Sequence, residues 1–184
     1  MSSPSVSTRA FTIGCVLTLA WLLSGCDDLT PSSEDKRPQV DIGTPGSSVG
    51  QIAPDFALFD TLYNPVSLSA ELTGVDGIVL YFTMWCPICD SHMSHMRAHV
   101  MPDYPDVGFY MIDYVSGTVA LSRSAQVSNG YAGVDVLVDD IQHVLNLYNA
   151  TMGTTVVIDN SGIVRMNEDY KDGTRLADVL STLP

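Results

Sequence analysis

Basic side chains are scarce in this 184-residue chain: eight Lys and Arg stand against 21 Asp and Glu, a formal net charge of −13 at pH 7. Without a basic footprint to neutralise phosphates, nucleic acid is excluded as a partner. Electrostatic attachment to anionic lipid is excluded on the same ground. Cysteine is sparse too, with only Cys15, Cys26, Cys86 and Cys89. Apolar runs are short, and the longest, over residues 11–23, falls below the ~18–20 residues of an ordinary membrane helix. Neither an internal repeat nor a low-complexity tract interrupts residues 51–184, a length that suits one compact domain.

The short apolar run follows a polar start bearing a single cation, Arg9, and ends in Ser24-Gly25 before Cys26. Those are the proportions of an export signal. A buried N-terminal helix would have to join a domain, whereas this run opens onto a polar, proline-bearing tract. Leu23-Ser24-Gly25-Cys26 resembles the processing site of bacterial lipoproteins. The resemblance implies cleavage before Cys26 and acylation of Cys26, with the bilayer as a partner; several acyl chains anchor stably where one binds marginally. Asp27 matches the residue that favours inner-membrane retention in enterobacterial lipoproteins, which implies the periplasmic face of that membrane. Residues 26–50 then read as the lipidated cysteine and a flexible tether rich in Ser, Pro, Gly and Asp. A tether of that length spans about 25–30 Å. The processed chain would keep seven basic and 21 acidic residues, a charge of −14.

Across residues 51–184 the pattern predicts strands at 56–59, 66–68 and 78–83, a helix at 87–100, and a strand at 107–114. A helix at 118–128, a strand at 134–138 and a helix at 140–148 follow. The hairpin 154–159/163–166, turned by Asn160-Ser161-Gly162, precedes a last helix at 174–180. Strands alternating with helices define a three-layer α/β domain.

With Cys15 and Cys26 assigned to the leader and the anchor, one pair remains for chemistry. Cys86 and Cys89 sit in Trp85-Cys86-Pro87-Ile88-Cys89, directly after the apolar run 78–82. A C-x-x-C pair at a strand end is the signature of a redox site. The nucleophile must be a thiolate, and a free thiol ionises near pH ~8.5. A cysteine at a helix start gains unpaired backbone N–H groups and the positive end of the helix dipole. Pro87 suits the first turn, having no N–H to lose there. Zinc would need further ligands, normally a second cysteine pair. A purely structural bridge would close too small a loop to contribute much. The redox group is therefore the Cys86–Cys89 couple itself, with no metal and no separate cofactor.

Three blocks carry a wider resemblance: 51–58 (QIAPDFAL) followed by 66–69 (VSLS), 82–87 (FTMWCP), and 154–162 (TTVVIDNSG). In this order the chain resembles the redoxin branch of thioredoxin-like proteins, which includes peroxiredoxins and the membrane-tethered oxidoreductases of the TlpA/ResA kind. The resemblance implies a thioredoxin-like three-layer fold, a central mixed sheet flanked by helices with an N-terminal redoxin-type strand extension. It implies thiol–disulfide exchange at Cys86 and Cys89, with Trp85, Pro87, Gly153 and Thr154 on the substrate side. Implied partners are exported cysteine-containing proteins, apocytochrome c among them, and a membrane thiol reductase or oxidase.

The sequence departs from the family in places. Gly153 stands where thioredoxin-like oxidoreductases carry a cis-proline and peroxiredoxins usually an arginine. Thr83 keeps the peroxiredoxin Thr-x-x-Cys spacing, but Val79 replaces the proline before it. Leu80 takes the place of thioredoxin's buried aspartate. His92 takes that of a carboxylate in ResA-type proteins, and reads either as a proton carrier in exchange or as an exposed helix residue. Two alternatives stay open: a peroxidase, and a Sco-like copper chaperone using His92, His95, His99, Met93 and Met96. Against copper, the histidines fall on a face of the helix turned largely away from Cys86, with the methionines reading as core. Asp135, Asp139 and Asp140 read as capping or flanking the helix near 140. Tyr110, Tyr114, Tyr131 and Tyr148 read as core or rim.

Overall fold

The computed structural model describes residues 40–184. The export segment and Cys26 lie outside them. At the centre is β3 (Gly77–Thr83), buried at every position. A strand with no polar face must be covered on both sides. Ile78, Leu80 and Phe82 enter one core layer, Val79 and Tyr81 the other, as the two-residue period demands. On one side β3 pairs in parallel with β4 (Val107–Asp113); on the other it pairs antiparallel with β6 (Thr154–Asp159). The remaining strands are β1 (Ala57–Asp60), β2 (Pro65–Ser67), β5 (Asp135–Val138) and β7 (Val164–Asp169). They complete a mixed sheet in the order β2-β1-β5-β4-β3-β6-β7.

Helices cover both faces. α2 (Pro87–His99) and α5 (Thr174–Leu180) bring Met93, Met96, Leu176 and Leu180 onto Val79 and Tyr81. α1 (Leu68–Glu71) and α4 (His143–Leu147) bring Leu68 and Val144 onto the opposite layer. α3 (Val119–Ser128) adjoins β5. The three-layer architecture and the N-terminal strand extension, β1 and β2, are as the sequence implied. Met93 and Met96 are core, and the four tyrosines are core or rim, as expected.

Three boundaries differ by more than one residue. The helix expected from residue 140 starts at His143, because the buried Asp139 carboxylate accepts the N–H groups of His143 (2.7 Å) and Leu145 (2.8 Å). Gln142 is left-handed (φ 57°), so residues 140–142 form the turn into the helix. β7 runs to Asp169 rather than stopping near Met166, and stays paired with β6 to its end apart from a register shift at Arg165. Residues 43–50, expected in the flexible tether, are instead bound to the domain. Gly43 and Gly46 donate to the carbonyls of Gly50 and Ile52, and Gly50 donates to Val164 (each 2.9 Å). Buried Ser47 is held by the Asn167 and Asn149 side-chain amides. Polar composition hides such docking, since backbone groups make most of it.

Candidate active site

α2 begins immediately after β3 and the turn 84–86, with Cys86 as its N-cap and Pro87 in the first turn. The Cys86 sulfur accepts the Cys89 backbone N–H at 3.2 Å, taking the place of a capping oxygen. Both thiols are free, with the sulfurs 2.7 Å apart. Cys86 is half-buried, while Cys89 has no exposed surface. Burial works against ionisation of Cys86. The hydrogen bond with the Cys89 thiol and the N–H groups of Cys89, Ile88 and Cys86 outweigh it, holding the Cys86 thiol below its ordinary range.

A depressed thiol pKa has a definite sign in pH experiments. The thiolate's contribution to the stability of the reduced form is present above the unfolded thiol's pKa and is lost as pH falls through the folded value. Labelling of reduced Cys86 by iodoacetamide should therefore reach half its maximal rate below the ~8.5 of a free thiol. A midpoint at or above that value would remove the N-cap stabilisation.

Trp85 is left-handed (φ 58°), an uncommon conformation for a bulky residue that costs about 1–3 kcal/mol. Its backbone N–H donates to Thr83 Oγ1 (3.2 Å) and its indole Nε1 to Asp113 Oδ2 (2.8 Å). The other Asp113 oxygen accepts Val115 and Ser116 N–H, and the carboxylate is wholly buried at the end of β4. Asp113 thus fixes the turn that presents Cys86. Sequence reasoning missed it; the available signal was a lone aspartate closing the apolar run 107–112. Pro87 is exposed, and the apolar side chains of Met84 and Ile88 flank the site in solvent.

Of the other expected substrate residues, Gly153 is left-handed (φ 87°), with its N–H spent on Phe82 O (2.9 Å) and its carbonyl on Tyr170 N–H (2.8 Å). Thr154 is buried, its hydroxyl accepting Thr151 N–H and donating to Asp169. These polar groups of both residues are paired within the domain.

His92 is half-buried rather than exposed, and its Nδ1 lies 3.0 Å from Tyr81 Oη. Burial, then the neighbouring His95, lowers its pKa from the ordinary histidine value. Leu80, at the place of thioredoxin's aspartate, lies in the opposite core layer; the β3 residues that share a layer with Cys89 are Val79 and Tyr81. His95 bonds Tyr170 Oη (2.7 Å) and stacks against His99. Among the described residues, no group of three or more His, Cys, Asp and Glu side chains is arranged to hold a metal.

Fold and site together define a thioredoxin-like thiol–disulfide oxidoreductase. Residues 49–167 match the model of the AhpC/TSA family, to which the chain belongs. Among solved structures, a provisional protein disulfide isomerase from Bacteroides thetaiotaomicron is similar at 21% identity and TM-score 0.63, over 74% of this chain and 89% of that one. A provisional thiol:disulfide interchange protein DsbE from Chlorobium tepidum is similar at 22% and 0.62, over 73% and 96%. Peroxidoxin BcpB from Mycobacterium tuberculosis is similar at 22% and 0.58, over 73% and 94%. Among curated proteins no match is found.

Proposed function

We propose that this protein is an exported, lipid-anchored oxidoreductase that exchanges electrons with cysteine pairs of extracytoplasmic proteins. The observation that carries the chemistry is the half-buried, thiolate-favouring Cys86 at a helix N-terminus with the buried Cys89 thiol against it. In the reducing direction Cys86 Sγ attacks a substrate disulfide; one substrate sulfur leaves as thiolate and a mixed disulfide forms. Cys89 Sγ then attacks Cys86 Sγ, the second substrate sulfur leaves, and the pair ends oxidised. A membrane thiol reductase would restore the dithiol; an oxidase would run the cycle backwards. Apocytochrome c is one candidate substrate among exported cysteine proteins. The test is metal-free reduction of insulin disulfides by the full-chain protein with dithiothreitol as electron source. Catalysis that needs both cysteines is expected, and no rate above dithiothreitol alone would overturn the reading.

Anchoring rests on Leu23-Ser24-Gly25-Cys26 and places the domain on the periplasmic face of a bacterial membrane, the inner one from Asp27. Cys26→Ser should release the protein from membranes or block its processing. Membrane fractionation and processing identical to wild type would overturn the lipoprotein assignment.

Family membership favours peroxidase activity as the second reading. Two observations weigh against it. Thr83 Oγ1, at the peroxiredoxin spacing, is engaged by Trp85 N–H. The arginines of the described residues are committed away from Cys86: Arg97 to Gly130 O, Arg123 to Gln126, Arg165 to Asp159 and Arg175 to Glu168.

A further inference from the structure

Exchange at this site leaves one proton without a route. Cys89 must lose its proton before its sulfur attacks the mixed disulfide, yet it has no exposed surface. Thioredoxin's buried aspartate has no counterpart here, because Leu80 is apolar and lies across the sheet. In the Cys89 layer the strand presents Tyr81, which is itself fully buried. The Tyr81 hydroxyl hydrogen-bonds His92 Nδ1 at 3.0 Å, one turn of α2 beyond Cys89. Half-buried His92 is the first member of this row that reaches solvent.

On the oxidoreductase reading above, we propose that Tyr81 relays the Cys89 proton to His92, completing a Cys89–Tyr81–His92 row that serves the resolving step. Cys89 Sγ bonds to Cys86 Sγ, the bond from Cys86 to the partner sulfur breaks, and the partner leaves as thiolate. The Cys89 proton passes to Tyr81 Oη as the phenolic proton passes to His92 Nδ1. His92, neutral beforehand with its proton on Nε2, becomes imidazolium and gives a proton to water. A hydroxyl suits this place because it accepts and donates at one atom. Burial, then the nearby Cys89 and Cys86, pushes ionisation of Tyr81 far up, so both transfers are concerted and no tyrosinate forms. The other titratable groups facing the row are Cys86 at the N-cap and His95 on α2, Tyr114 just past β4, which feels both cysteines, Tyr170 beyond β7 packed on His92 (ring centroids 4.9 Å), and Asp172 acting through His95.

The experiment uses the full chain with Cys15→Ser and Cys26→Ser, so that only the Cys86–Cys89 pair reports. Reduced protein is mixed with 5,5′-dithiobis(2-nitrobenzoate) in a stopped-flow instrument. The first thiolate released records attack by Cys86, and the second records resolution by Cys89. Tyr81→Phe should leave the first phase within about twofold and slow the second about a hundredfold, the low end for a general acid–base group. The second phase of wild type should fall in acid as His92 protonates, below the ordinary histidine value. In Tyr81→Phe that limb should vanish, leaving a rate that follows thiol ionisation alone. A merely structural tyrosine would not remove it. His92→Gln, at a half-buried position, should give the same slow second phase and covers the case in which Tyr81→Phe does not fold. Second phases and pH profiles like wild type in either variant would overturn the relay. Failure of wild type to release the second thiolate would overturn the oxidoreductase reading on which it rests.

Discussion

Serine at position 86 should abolish disulfide exchange, and serine at position 89 should arrest it halfway. The two sulfurs are neighbours but their surroundings differ. Cys86 caps α2 and is partly open, while Cys89 lies beneath it in the core layer with Tyr81 and Met93. Removing the nucleophile leaves a buried thiol that partners cannot reach, so Cys86→Ser should lower the exchange rate by about three orders of magnitude or more. Cys89→Ser keeps the attacking thiolate but takes away the group that releases the partner, so mixed disulfides should accumulate. Non-reducing gels followed by mass spectrometry would read both results, and the trapped species would identify the physiological partner. Equal trapping by the two variants would mean that the cysteines do not divide attack and resolution between them.

The cysteine pair was legible because its signal is local: a C-x-x-C spacing directly after five consecutive apolar residues. β3 was legible for the same reason, since a continuous apolar run needs cover on both faces. The tertiary partners of the site were not. Tyr81 and Leu80 look alike in a one-dimensional reading, yet alternation sends Leu80 to the far layer and Tyr81 to Cys89. His92 could be placed on the helix from its number, but whether it met solvent or a tyrosine depended on how α2 sits on the sheet. Asp113 became functional only through the parallel pairing of β3 with β4, which sets Thr83 opposite Asp113 at the strand ends. The start of α4 moved three residues because Asp139 turns inward as a backbone acceptor, a choice that its neighbour Asp140 could equally have made in sequence.

Gly153→Pro should be among the most damaging single substitutions in the domain, although family resemblance makes proline the usual residue there. The resemblance puts Gly153 on the substrate side, at the place of that proline. In the structure it is a left-handed link, φ 87°, far from the roughly −65° that the proline ring imposes. Proline would also delete the N–H that Gly153 donates to Phe82 O, next to the strand end that delivers Cys86. The cost should be about 3 kcal/mol or more, which lowers the melting temperature by about 10 °C for a domain of this size. Gly153→Ala isolates the backbone part of that cost. Its Cβ would stand 3.8 Å from the His92 ring, an ordinary contact, so only the positive φ is penalised. Alanine should therefore cost about 1–2 kcal/mol and keep exchange activity, and it decides the matter if the proline variant cannot be produced folded. A proline variant melting within about 2 °C of wild type, or an alanine variant with no loss, would show that this link does not need its left-handed conformation. The usual proline could then be accommodated beside His92 after all.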